Sequence, residues 1–202
     1  MGWMLWAVVG FASGSVPYAA WMTQGLCHRD VREYGDGNPG AANAWRAGGW
    51  RLGTVALLLD VAKGAIPVGL ARFSMDIVGS PIVVVSLAPV LGHAFSPLLH
   101  YSGGKAVAVT FGVWSALTLW FAPTVLGLAL SVFYAVQSAD AWSVAGAGLV
   151  LLIALLASKA SPWLLVAWCG NLAILLWKHR QELRGRPALR PWLLQLFVRN
   201  RP

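Results

Sequence analysis

The sequence predicts an all-α integral membrane protein of about seven transmembrane helices, with the N-terminus out and the C-terminus in. Three observations carry that expectation. The 202-residue chain is 58% hydrophobic and only 11% charged, which is more apolar surface than one soluble core can bury. Its apolar runs follow one another at the roughly 17–25 residues needed to cross a hydrocarbon core about 30 Å thick, without the short alternating segments of a β-barrel. Its basic residues gather in every second loop and in the tail.

The first run, Trp3–Met22, lacks the positively charged start of a cleavable signal peptide, since the first basic residue is Arg29, and it reads as a retained helix. Further runs at Gly53–Phe73, Ile77–Leu99, Val107–Phe121, Thr124–Val136, Trp142–Ala157 and Pro162–Trp177 are bounded by Gly, Pro or charge. The breaks at Ala122-Pro123 and Ser158–Pro162 delimit the shortest of these segments. Orientation follows from the loops. Arg29, Arg32, Arg46 and Arg51, then Lys105, then Lys178, Arg180, Arg184, Arg186, Arg190, Arg199 and Arg201 fall on one side, with only Arg72 and Lys159 opposite. Trp3, Trp21, Trp50, Trp142, Trp163 and Trp177 sit near helix ends, where interfacial Trp is expected. The chain thus divides into one membrane domain, residues 1–177, with cytoplasmic loops 23–52 and 100–106, and a basic cytoplasmic tail, residues 178–202.

The net charge of +8 is mostly that tail, which suits anionic lipid headgroups, with "WLLQLFV" lying in the interface. No aromatic or groove-reading context for nucleic acid accompanies it. Cys27 and Cys169 have no spacing for a disulfide or a metal. There is no nucleophile elbow, no carboxylate pair spaced for acid/base work and no metal-ligand cluster, so neither a metal nor any other cofactor is expected. The sequence carries no signal of oligomeric state.

Polar residues concentrate in three places. "DVREYGDGNPGAANAWRAGG", Asp30 to Gly49, is far longer than a connection between helices needs. "LLLDVAKGAIPVGL" puts Asp60 and Lys63 at i and i+3 of an apolar helix, where they can pair and line a site. "LGHAFSPLLHYSGGKAVAVTFG" places His93 inside an apolar run that ends in Gly103-Gly104-Lys105, a turn able to cradle an anion at a helix start, though not a Walker loop. His93, His100 and His179 are candidate acids or bases; His28 and Glu33 only loosely match the His-x4-Asp of membrane-associated acyltransferases. Arg, Lys, His, Asn and Gly backbone gathered on one membrane face suit a phosphate-bearing substrate.

In their order, these motifs resemble one family, the membrane-integral acyl-phosphate:glycerol-3-phosphate acyltransferases of the PlsY type. "GSVP" (Gly14–Pro17) comes first. The Asp30–Gly49 stretch resembles the family's Asp-Ile-Arg…Gly-Ser-Gly-Asn-x-Gly-x-Thr-Asn…Arg, and "LLDVAKGAIPV" (Leu58–Val68) follows. "LGHAFSPLLHYSGGKAVAV" then resembles Gly-His…Pro…Gly-Gly-Lys-Gly-Val-Ala-Thr, and His179-Arg180 falls where the last cytoplasmic motif begins.

That resemblance implies a bacterial inner-membrane, multi-pass enzyme of phospholipid synthesis. Its substrates would be acyl phosphate and glycerol-3-phosphate, beside membrane lipid, and the acyl group would go to the 1-hydroxyl to give lysophosphatidic acid. It further implies that Arg46, Lys105 and His179 carry the catalysis. Ser15, Gly37, Asn38, Asn43, Asp60, Lys63, His93, Gly103, Gly104 and Arg180 would belong to the substrate pocket, together with Asp36 and Glu182. An acyl phosphate is already activated, so no acyl-enzyme is needed.

The chain departs from the family's pattern at Asp36 for Ser, Ala42 for Thr, Ala106 for Gly, Val109 for Thr and Glu182 for Asn. If the pocket binds phosphate, Asp36 and Glu182 must be turned away or neutralised, the candidates being Arg29, Arg32, Arg46, Arg180 and Arg184. Two other readings stand beside the enzyme. One is a relative that is catalytically silent or uses a different acceptor and binds lipid or a membrane partner. The other is a small transporter with Asp60 and Lys63 as a polar relay, which the one-sided placement of the polar groups and the missing inverted repeat disfavour.

Overall fold

A computed structural model describes residues 2–198, and every regular element is helical: among the described residues there is no β-strand, only an isolated bridge between Gln137 and Leu189. The order is α1 (Gly2–Ser15), α2 (Tyr18–Cys27), α3 (Ala41–Phe73), α4 (Ser80–Ala94), α5 (Val107–Thr118), α6 (Phe121–Val136), α7 (Asp140–Ala157), α8 (Pro162–Lys178) and α9 (Pro191–Val198). Single 3-10 turns at Val31–Glu33, Pro97–Leu99 and Glu182–Arg184 lie between them. Arg199 and Arg201, counted above with the basic tail, lie outside the described residues.

Three stretches are long and apolar enough to cross a membrane, namely Ala41–Phe73, Ser80–Leu99 and Asp140–Ala157, and α5, α6 and α8 are shorter apolar helices. Leu5, Val8, Leu58, Leu128, Leu149 and Ile153 are exposed on the outside of the bundle, where lipid rather than water must meet them.

Three helix boundaries differ from the sequence expectation. The first run is two helices, because Pro17 has no N–H and cannot continue α1. The Val16 carbonyl left at the break is met by the Lys63 ammonium at 2.9 Å. Helix α3 begins at Ala41, well before Gly53, so the second half of the polar stretch is helical and is kinked at Gly49 (φ 82°, ψ 179°). The α5–α6 break falls at Leu119 and Trp120 rather than Ala122-Pro123, with Leu119 at φ 55°. Pro123 is tolerated in the first turn of α6, where a backbone N–H has no helical partner, and Thr118 Oγ1 accepts from the Ala122 N–H at 3.0 Å. The break at Ser158–Pro162 is where it was expected.

Helix α1 packs on α4 and α3, α3 on α5, α4 on α8, and α6 on α7. Two of these crossings bring backbones together. A Cβ at Gly92 would collide with the Phe11 carbonyl of α1, and one at Gly112 with the Val61 carbonyl of α3. The apolar core holds Trp114, Ile82, Leu117 and Leu151, all at most 1% exposed. Its polar atoms are paired: Trp114 Nε1 donates to Asn171 Oδ1 at 2.8 Å, and Asn171 Nδ2 to Thr110 Oγ1 at 2.9 Å, tying α5 to α8.

Candidate active site

The loop between α2 and α3 folds into a turn because Gly35 (φ 58°) and Gly37 (φ 74°) adopt left-handed backbone, with Asp36 between them. Asp36 Oδ1 accepts from the Asn38 N–H at 3.2 Å and from Asn43 Nδ2 at 2.8 Å. Asn43, 1% exposed in the first turn of α3, also donates to the Asn38 carbonyl at 2.9 Å and accepts from Arg46 Nη1 at 2.5 Å. One buried amide therefore fixes the turn and aims the arginine one helical turn away.

From the other side comes Lys105, at the end of the Gly-Gly-Lys turn. Gly103 and Gly104 let that turn lie against the end of α4: a Cβ on Gly103 would meet the His93 carbonyl, and one on Gly104 the His93 ring. The Gly104 N–H donates to the His93 carbonyl at 3.0 Å, so it is used in packing rather than held out to an anion. Lys178, in the last turn of α8, donates to the carbonyls of Ala94 (2.9 Å) and Gly103 (2.8 Å) and clamps the same turn. Ala106 takes left-handed backbone (φ 63°) and α5 then starts with its N-terminus toward the same space.

These pieces surround an open cavity of about 730 Å³. Asp36, Asn38, Arg46, Asp60, His93, Lys105, His179 and Glu182 line it. Tyr134 at the end of α6, Ser138 in the α6–α7 connection and Asp140 at the start of α7 complete its wall, and sequence reasoning missed them because no spacing ties that corner to the other motifs. Ser15, Lys63 and Gly104 line a small adjoining recess with Asp60 and His93. Gly37 and Gly103 shape their turns without forming the cavity wall. Arg180 does not reach it: its guanidinium lies 4.9 Å from the centre of the exposed Trp177 ring and donates to the Trp177 carbonyl at 2.8 Å.

Lys105 Nζ sits 2.6 Å from Asp36 Oδ2 and also pairs with Glu182 Oε1. The expectation that Asp36 and Glu182 would be neutralised holds, but not by any of the arginines named: the partner is the lysine assigned to the phosphate. Arg32 instead pairs with Asp30 at 2.7 Å, and Arg29 donates to the Ala47 carbonyl. Burial pushes the Asp36 carboxyl up, but hydrogen bonds from Lys105, the Asn38 N–H and Asn43 outweigh it and bring its pKa down to about 2. Burial likewise pushes Lys105 down, and its two carboxylate partners more than offset this, so it stays charged. A phosphate oxygen placed about 4 Å from either carboxylate meets about 4 kcal/mol of repulsion at an effective dielectric of 20.

His179, 2% exposed at the end of α8, has Nδ1 2.8 Å from the Leu175 carbonyl. A carbonyl can only accept, so Nδ1 carries the proton and Nε2 of the neutral ring is an acceptor. Burial is the main reason its pKa lies below the ordinary value, which keeps that neutral form at pH 7. Below the cavity, Lys63 Nζ pairs with Asp60 Oδ1 at 2.8 Å, both buried, with His93 Nδ1 3.8 Å from the same oxygen. Asp60 reaches the cavity while Lys63 seals the α1–α2 break. Among the described residues no cluster of His, Cys, Asp and Glu has metal-binding geometry.

The family profile described as "Glycerol-3-phosphate acyltransferase" matches residues 4–186. "Glycerol-3-phosphate acyltransferase 1" of Thermotoga maritima is 38% identical over 190 residues, covering 87% of this chain and 93% of that protein. The "Glycerol-3-phosphate acyltransferase" of Maridesulfovibrio salexigens is 34% identical, covering 91% and 93%. The fold is similar to a crystal structure of PlsY, described as an integral membrane glycerol 3-phosphate acyltransferase in its glycerol 3-phosphate form, with a TM-score of 0.82 and 26% identity over 98% of this chain and 100% of that one. The chain belongs to the glycerol-3-phosphate acyltransferase family.

Proposed function

We propose that the chain transfers an acyl group from acyl phosphate to the 1-hydroxyl of glycerol-3-phosphate in this cavity, releasing phosphate and lysophosphatidic acid. In this reading the chain crosses the bacterial inner membrane about seven times, N-terminus out and C-terminus in, and the cavity opens to the cytoplasm beside the lipid. The supporting observation is that Arg46 and Lys105, far apart in sequence, line one cavity and are joined through Asn43 and Asp36.

Arg46 and Lys105 bind the acceptor's phosphate, the arginine through its fork of donors. The 1-hydroxyl oxygen attacks the acyl carbonyl, and the carbon–oxygen bond to the donor's phosphate breaks as the tetrahedral intermediate collapses. Lys105 and the N-terminal amides of α5 stabilise the developing oxyanion. The hydroxyl proton goes to His179 Nε2 or to the departing phosphate. Holding hydroxyl and carbonyl together provides most of the rate, because the donor is already activated.

The test is acyl transfer by purified protein in lipid, given acyl phosphate and glycerol-3-phosphate, with product read by mass spectrometry. Lysophosphatidic acid forming only with both substrates is expected. No product above a protein-free control from an intact fold would sink the reading; product only from an acyl thioester, on a carrier protein or coenzyme A, would replace the donor.

A further inference from the structure

We propose that Glu182 sets the affinity of this cavity for its acceptor: its carboxylate occupies the position on Lys105 that an acceptor's phosphate takes, and the phosphate binds by displacing it. The inference rests on the reading of the cavity as a phosphate-ester site. Lys105 has three N–H donors; one meets Asp36 Oδ2 at 2.6 Å and another Glu182 Oε1, so a phosphate cannot gain the lysine fully while both carboxylates stay.

The two carboxylates are not held alike. Asp36 is fixed by Asn43 Nδ2, by the Asn38 N–H and by a turn with left-handed glycines on both sides. Among the described residues Glu182 takes a side-chain hydrogen bond only from Lys105, and it begins a single 3-10 turn outside the helices of the bundle. Glu182 is therefore the one that yields.

Its backbone need not move with it. Trp142 Nε1 donates to the Gly185 carbonyl at 3.0 Å, and the Ser138 N–H and Oγ donate to the Ala188 carbonyl at 2.9 and 3.0 Å, so the segment after Glu182 is tied to the α6–α7 connection and the start of α7 on the cavity wall. Only the side chain swings. A phosphate ester brings the negative charge that can replace a carboxylate on an ammonium, whereas a neutral polyol brings none and leaves Lys105 occupied. Glu182 thereby lowers the affinity for phosphorylated acceptors below what Arg46 and Lys105 alone would give, by competing with their phosphate for the ammonium.

Binding of glycerol-3-phosphate, inorganic phosphate and glycerol to protein in nanodiscs, by calorimetry without acyl donor, tests this independently of turnover. Glu182→Gln is expected to tighten both phosphate probes at least tenfold and to leave glycerol unbound, and the tightening should vanish in a Lys105→Met background. Glu182→Ala, with thermal melts for both variants, guards against a folding defect in one of them. Unchanged affinity in both variants overturns the proposal. Weaker binding overturns it too, because Glu182 would then contact the acceptor, and so does equal tightening with and without Lys105. No saturable phosphate binding by wild type or variants sinks the phosphate-ester reading itself, whereas wild-type binding that Glu182→Gln leaves unchanged sinks only the role of Glu182.

Discussion

The Lys105 ammonium lies 2.6 Å from Asp36 Oδ2 and so joins the glycine-rich loop before α3 to the turn before α5. The contact makes that lysine a structural tie, and in the proposed reaction it is also the cation that meets the substrate.

Lys105→Ala removes that tie and leaves two carboxylates facing the cavity. Losing a hydrogen bond to a charged group costs about 1.5–3 kcal/mol. Steady-state acyl transfer should therefore show kcat/KM for glycerol-3-phosphate falling about 100-fold or more, a factor worth about 2.7 kcal/mol. Activity within threefold of wild type would remove Lys105 from the site.

Asn43→Ala deletes the amide that holds Asp36, the Asn38 carbonyl and Arg46 together. Asp36 and Arg46 are exposed and can turn to water, so each lost hydrogen bond costs about 0.5–1.5 kcal/mol. KM for the acceptor should rise and thermal stability should fall together; a loss of stability with unchanged KM would show that Arg46 needs no positioning.

The Asp60–Lys63 pair is 2–3% exposed at its side chains, and removing one member of a buried pair costs about 3–5 kcal/mol. Lys63→Met also uncovers the Val16 carbonyl, so it should lower the melting temperature in detergent more than Asp60→Asn does. The double variant should melt above Lys63→Met alone, because no unpaired carboxylate remains. A double variant that melts lower than either single one would contradict the pairing.

Two groups set the acid behaviour. Folding lowers the pKa of Asp36 from 3.8 to about 2, so its stabilising share is complete above the unfolded value and is lost as pH falls through the folded one. Asp36→Asn should flatten the stability profile between those two values. His179 is also lowered on folding, chiefly by burial, so its neutral ring persists below the ordinary value of about 6.5. If Nε2 takes the hydroxyl proton, the acid limb of kcat falls below that pH and disappears in His179→Gln along with most of the activity; an acid limb unchanged in that variant would assign the proton to the leaving phosphate.

The sequence by itself determined the membrane class, the approximate helices and the pairing of Asp60 with Lys63, because hydropathy and i,i+3 spacing are properties of a few neighbouring residues. The order of the motifs determined the family in the same local way. Kinks were less legible: Pro17 separates α1 from α2 whereas Pro123 sits in the first turn of α6, where a helix has backbone N–H groups without helical partners and tolerates a proline. Only the tertiary structure decided which cation meets which carboxylate. Five arginines were candidates for Asp36 and Glu182, yet Lys105 takes both, Arg180 lies on Trp177, and Lys178 clamps the Gly-Gly-Lys turn instead of joining the tail. Those choices depend on how α3 packs on α5 and α4 on α8, through backbone contacts at Gly112 and the turn seated on His93. A long flexible side chain finds its partner after the helices have docked, and no spacing along the chain encodes that outcome.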